Sequence, residues 1–221
     1  IMRIEKSKLY GVITGDIVGS TSLSPAQRSQ LHEVMKTGAR VLREEFQDAL
    51  PLDVDIFSGD SWQILAAQPW MTLRIALYFR AHIQAHMRGL DTRVAVAVGL
   101  IDLVPGERVS EGDGEAFRLS GRALSEKSRL SRMRFAGGEQ VAEPALWDTA
   151  FHLLDALILR EWTDKRARAV LGALRGWRQD QIAELWQPPI RQQSVTKHLQ
   201  GAGWDCIEVL LREFERHFRD A

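Results

Sequence analysis

The sequence predicts an α+β fold, a helix-backed sheet followed by an all-helical tail, and three observations carry that prediction. Apolar β-rich runs alternate with helical periodicities over the first 138 residues. After Gly137-Gly138 the strand signals stop, and helical spacing alone continues through residues 139–221. Two short segments, Thr14-Gly15-Asp16-Ile17-Val18-Gly19-Ser20 and Phe57-Ser58-Gly59-Asp60-Ser61-Trp62-Gln63, each put an aspartate after a glycine at the end of a β-rich run. That is how one edge of a sheet comes to present two carboxylates side by side.

The elements follow in order. Residues 9–14 are nearly continuously apolar, as in a strand buried on both faces. Ser24-Pro25 supplies an N-cap and a first helical residue, and Leu31, Val34, Met35, Val41, Leu42 and Phe46 recur at helical spacing up to Pro51. Residues 54–57 and 62–66 read as a hairpin around Ser58-Gly59-Asp60. Pro69 opens a helix with Leu73, Leu77, Ile83 and Met87 on its apolar side. Residues 92–101 form the clearest strand, residues 114–130 a helix, and residues 132–136 a last short strand. Strand, helix, strand, strand, helix, strand, helix, strand is the ferredoxin-like palm arrangement with an addition. The predicted division is a palm domain over 1–138 and a helical domain over 139–221.

Composition sets limits on function. Of 221 residues, 45% are hydrophobic and 26% charged, as in ordinary globular proteins, and the formal net charge of zero points to no class of partner. The chain reads without a bilayer-length apolar run or a secretory leader, so no membrane partner is expected. A single cysteine, Cys206, excludes an internal disulfide framework and predicts a cytoplasmic protein.

The aspartates carry the chemistry. A lone Gly-Asp is a common turn dipeptide, but two at neighbouring strand ends suit a divalent cation, so Asp16 and Asp60 are the candidate metal ligands, with Mg²⁺ the expected ion. Gly15 would let the backbone approach a ligand, and Ile17, Gly19 and Ser20 would offer amides near a helix start, a natural cradle for the phosphates of a nucleotide. Arg118 and Arg122 lie four apart on one predicted helix face, where both can reach one anion. Lys127, Arg129, Arg132 and Arg134 read as a solvated basic face. His82 and His86, also four apart, have no third ligand nearby and read as a surface pair.

These segments resemble class III nucleotide cyclases. Asp16-Ile17-Val18-Gly19-Ser20-Thr21 is similar to their first metal-binding segment, and Gly59-Asp60 to their second metal aspartate. Gly114-Glu115-Ala116-Phe117-Arg118-Leu119-Ser120-Gly121-Arg122 resembles the helix carrying their transition-state asparagine and arginine. Arg122 matches that arginine and is the candidate catalytic residue. Arg118 stands in the asparagine's place, and Ile56 where adenylate cyclases carry a base-selecting lysine, and both departures argue against cyclisation. The resemblance implies a homodimer. Over nearly its whole length, with a Gly-Asp-Ser-Trp-Gln hairpin and a Gly-Asp-Gly-Glu-Ala-Phe loop, the chain resembles the bacterial SatD family, whose pattern ends in a helix-turn-helix.

In the tail, residues 179–186 read as a supporting helix and residues 191–199 as a recognition helix. Val195 and Leu199 would anchor it. Arg191, Gln192 and Gln193 at its start, then Ser194, Thr196, Lys197 and His198, would face DNA. Arg160, Lys165, Arg166, Arg168, Arg175 and Arg178 add a local positive excess. The leading expectation is a bacterial regulator with a Mg²⁺-nucleotide site and a DNA-binding helix-turn-helix. The alternatives are an enzyme that cyclises or hydrolyses nucleoside triphosphates, and a catalytically dead interaction module.

Overall fold

Tyr10–Ile17 forms β1 at the centre of a five-stranded sheet because its residues are apolar on both faces. Ile13 and Ile17 point to one side, and Tyr10 and Val12 to the other, each into its own buried cluster. The computed structural model describes residues 4–126 and 131–219. The remaining early elements are α1 (Pro25–Glu45), β2 (Asp55–Phe57), β3 (Ser61–Ala66), α2 (Thr72–His86), β4 (Thr92–Gly99), α3 (Glu115–Ser125) and β5 (Met133–Gly137). The sheet order is β2-β3-β1-β4-β5, antiparallel throughout except for β4 and β5, which run parallel. The first four strands are the ferredoxin-like set, and β5 is the addition at one edge.

α1 starts as its sequence requires. Ser24 Oγ accepts from Gln27 N, Gln27 Oε1 accepts from Ser24 N at 2.9 Å, and Pro25 takes the first helical position. It ends at Glu45, short of Pro51, because residues 46–50 leave the helix in a turn that buries Phe46 and Leu50. The helix expected over 114–130 runs from Glu115 to Ser125, and its expected end, including Lys127 and Arg129, lies outside the described residues. Its Ala116 and Phe117 join Tyr10, Val12 and Leu65 in the smaller cluster, so α3 covers one face of the sheet while α1 and α2 cover the other. Glu115 ties its start down, accepting from Leu100 N and Glu139 N.

The tail consists of α4 (Pro144–Glu161), α5 (Asp164–Leu174), α6 (Gln179–Ala183), α7 (Gln192–Gly201) and α8 (Trp204–Arg219). It packs on α2 and shares one buried cluster with the sheet. Arg74 on α2 reaches Glu215 Oε1 at 2.6 Å and the Leu174 carbonyl at 3.0 Å, and Tyr78 accepts from Arg175. Phe135 of β5 meets Phe151, Phe214 and Phe218 of the tail.

Inside this junction lies a charge network that hydropathy does not foretell. Arg80 of α2 is 0% exposed and pairs with Asp91 through Nε at 2.9 Å and Nη2 at 2.7 Å, and with Asp155 of α4 at 2.6 Å. Asp91 also accepts from Arg132 and Gln84, and Asp155 from Ser131 and the Arg132 amide. Burial pushes Asp91 up, but the Arg80 charge and its hydrogen bonds outweigh this and hold the carboxyl below the usual range. Replacing Arg80 by Met leaves the buried Asp155 without a cationic side chain and Asp91 with Arg132 alone, and should lower unfolding free energy by about 3–5 kcal/mol, read from urea denaturation midpoints.

Of the expected surface pair, His86 is exposed but His82 is not. His82 is buried where α1 crosses α2 at Gly38, whose missing side chain makes room for the imidazole, and its Nε2 lies 3.0 Å from the Val34 carbonyl. Burial, with the neighbouring His86, pushes the ring down to about 3. Below about pH 6.5 the unfolded chain binds a proton at this ring that the folded chain refuses, so stability falls as pH drops from 6.5 toward 4, by at most about 1.4 kcal/mol per pH unit. His82→Gln should flatten that slope in urea titrations at pH 7, 6 and 5.

Candidate functional site

The register β1–β3 pairs Asp16 with Ser61, and the Ile17 amide donates to the Asp60 carbonyl at 3.0 Å. The two aspartates therefore sit at one sheet edge, as their sequence positions predict. Their side chains turn to different partners. Asp16 faces Arg93, its neighbour across the β1–β4 register, with both carboxylate oxygens on the guanidinium, one of them 2.7 Å from Nε. Asp60 accepts from Ser20 Oγ at 2.5 Å and from Ser61 Oγ at 3.4 Å. Arg93 is pushed up by its hydrogen bonds to Asp16, which outweigh burial, with the charges of Asp16 and Asp60 adding to the effect.

The strand end is braced from behind. A side chain at Gly15 would collide with the Trp62 indole, which is why the position is glycine; it serves packing rather than ligand approach. Trp62 Nε1 donates to Thr92 Oγ1 at 3.0 Å, and that hydroxyl donates to the Asp16 carbonyl at 2.7 Å. The amides of Ile17 and Val18 are both engaged, by the carbonyls of Asp60 and Asp91, so the expected phosphate contact from Ile17 does not stand. Gly19 and Ser20 begin the turn that follows, with Gly19 in the left-handed conformation at φ 73°.

Between that turn, the first turns of α1 and the β2–β3 hairpin lies an open cleft of about 510 Å³. Ser20, Thr21, Arg28, His32, Ser58 and Asp60 supply its polar wall, and Leu31 an apolar patch. Arg28 braces the turn through the Leu23 and Thr21 carbonyls, using two of its five N–H donors. Sequence reasoning missed Arg28 and His32. Their signal was spacing: four residues apart, in the first turns of a capped helix beside the Gly-Ser-Thr turn.

The other predicted residues lie elsewhere. Arg118 is on the exposed side of α3, paired with Asp113 at 2.8 Å and with Asp102 at 3.6 Å, and Arg122 is exposed one turn on. Neither lines the cleft. On α7, Val195 and Leu199 are buried as expected, and Arg191, Gln192, Gln193 and Lys197 are exposed, with Ser194 half-buried. Thr196 is held by Gln179 Oε1 at 2.7 Å, and His198 stacks on Trp186 at 5.6 Å. Burial, then Lys165 and Arg166, push the His198 ring down. The positive excess is smaller than predicted. Arg166 pairs with Glu161 and Arg178 with Asp180, and Arg175 turns inward to Tyr78 and Glu45. The helix before α7 is only Gln179–Ala183, and an eight-residue connection separates the two, longer than the 3–4-residue turn of a standard helix-turn-helix.

No family model matches this chain, and no curated protein is similar to it. Solved structures with a similar arrangement exist. Adenylate cyclases are among them. Two are monomeric adenylate cyclases from Trypanosoma brucei, at 17% and 16% identity, covering 56% and 57% of this chain and 71% of each of theirs, with TM-scores of 0.42 and 0.44. A bacterial light-regulated adenylyl cyclase matches at 13% identity over 58% of this chain and 43% of its own, with a TM-score of 0.43. Among the described residues, no helix is long and apolar enough to cross a membrane.

Proposed function

We propose that this chain is a cytoplasmic regulator of the SatD type that binds a nucleotide in the cleft beside Asp60. One observation carries the reading. The cleft sets a guanidinium, an imidazole and several hydroxyls against a carboxylate and an apolar patch. Arg28 and His32 suit phosphate oxygens, and Asp60 suits a sugar hydroxyl or a base amino group. Binding fits this arrangement better than turnover, because Arg122 and Arg118 lie outside it and leave the cleft without the predicted charge stabiliser for a transition state.

A thermal-shift screen with ATP, GTP, CTP and UTP tests it. At a hundredfold excess over the dissociation constant, the bound nucleotide should add about 2.7 kcal/mol of stability. Arg28→Ala removes a charge-assisted contact and should weaken binding roughly tenfold to a hundredfold. No shift with any of the four nucleotides would sink the reading.

A second reading concerns the tail. α7 buries Val195 and Leu199 while leaving Arg191, Gln192, Gln193 and Lys197 exposed, which favours DNA contact by this face. Lys197→Ala should then weaken DNA binding on all sequences alike and lower the salt slope by about one. Filter-binding titrations at several salt concentrations read both, and an unchanged slope counts against the face.

A further inference from the structure

Asp16 is the residue whose surroundings differ most from what its position in the sequence suggests. β1 and β4 are paired residue by residue, and the register sets Asp16 directly opposite Arg93. Both oxygens of the carboxylate face the guanidinium, the bidentate arrangement in which two parallel N–H donors meet one carboxylate. A guanidinium keeps its proton at every working pH, so this cation does not leave by titration. Its stem rises from a strand that is itself hydrogen-bonded to β1, so it does not leave by loop motion either.

The donor set does not fit Mg²⁺ at this edge. The ion takes one or two carboxylate oxygens at near-ideal octahedral geometry, and the Asp16 oxygens are already bonded. Asp60 is turned to Ser20 and Ser61. Meanwhile Arg93 lies in the field of both Asp16 and Asp60. One guanidinium thus does the charge compensation between two carboxylates that a divalent ion would otherwise supply.

We propose that Arg93 holds the cation position beside Asp16 and excludes a divalent metal from it, so that the neighbouring cleft takes its anionic ligand without one. The exclusion rests on the Asp16–Arg93 geometry alone; only the identity of the ligand rests on the nucleotide reading above.

The test begins with metal in the absence of any nucleotide. Mn²⁺, followed by electron paramagnetic resonance, is titrated into the wild-type protein, Arg93→Gln and Arg93→Lys. Arg93→Gln should bind at least tenfold more tightly than wild type, and Asp16→Asn in the same background should abolish the gain. Arg93→Lys retains a cation and should behave as wild type, which guards against an effect of the substitution itself. Equal Mn²⁺ binding by wild type and Arg93→Gln, whether both bind or neither does, overturns the proposal. A second arm measures pyrophosphate binding to wild type by calorimetry in EDTA and in Mg²⁺. Equal affinity in the two buffers supports the proposal, and an affinity that needs Mg²⁺ overturns it. Failure of pyrophosphate and of every nucleotide to bind, with the Mn²⁺ pattern as expected, sinks the nucleotide reading while the Arg93 assignment stands.

Discussion

The cluster of buried Arg80, Asp91 and Asp155, closed from the half-exposed side by Arg132, is the constraint on which the rest of this structure depends. Four elements meet there: α2, the lead-in to β4, the lead-in to β5, and α4. Two arginines and two aspartates cancel in charge, and the Ser131, Gln84 and Thr92 donors satisfy further carboxylate lone pairs. In a low-dielectric interior such a set is favourable only when complete, because Arg80, Asp91 or Asp155 left alone is a charge without water. Completeness in turn requires all four elements to sit in one arrangement. Apolar packing alone would tolerate small slips between α2 and α4; the forked geometry of Arg80 does not.

The same cluster reaches the cleft through the backbone. The Asp91 side chain anchors Arg80, and its carbonyl accepts from the Val18 amide, the first residue beyond β1. Thr92, next in the chain, bridges Trp62 to the Asp16 carbonyl, and Arg93 after it engages the Asp16 carboxylate. Three consecutive residues therefore couple the interior charge network, the indole that backs the sheet, and the edge where the two aspartates emerge. The turn that walls the cleft is held in place from the junction between sheet and tail.

Much of the architecture was legible in the sequence because it rests on local chemistry. The Ser24-Pro25 cap, the apolar run of β1 and the Ser58-Gly59-Asp60 turn each encode their own geometry, and the strand and helix order followed. What was not legible depends on partners distant in the chain. Arg80 reads as a solvent-facing residue on an amphipathic helix until Asp155, 75 positions later, is set beside it. Arg93 reads as one polar residue in a strand until the register puts it across from Asp16. Gly15 looks like a ligand-approach glycine until Trp62 fills the space beside it. Arg175 counted toward a surface charge excess in the tail until Tyr78 and Glu45, far back in the chain, drew it inward; the acidic partners of Arg166 and Arg178, five and two residues away, were there to be read. The cleft itself was half legible: Ser20 and Asp60 were foreseen, while Arg28 and His32 were hidden in a helix whose apolar stripe drew the attention.

α2 is buried along nearly its whole length, with the sheet and α1 on one side and α5 on the other. A helix enclosed in this way has no side from which it can fray towards water. Its central amides should therefore exchange with solvent only when the whole molecule opens, at the same slow rate as those of β1. A protease that nicks the loops of the tail would still find the tail seated on α2, and the cut chain would stay assembled. In a cell, turnover of this protein would follow the population of the fully unfolded chain rather than the loosening of either half.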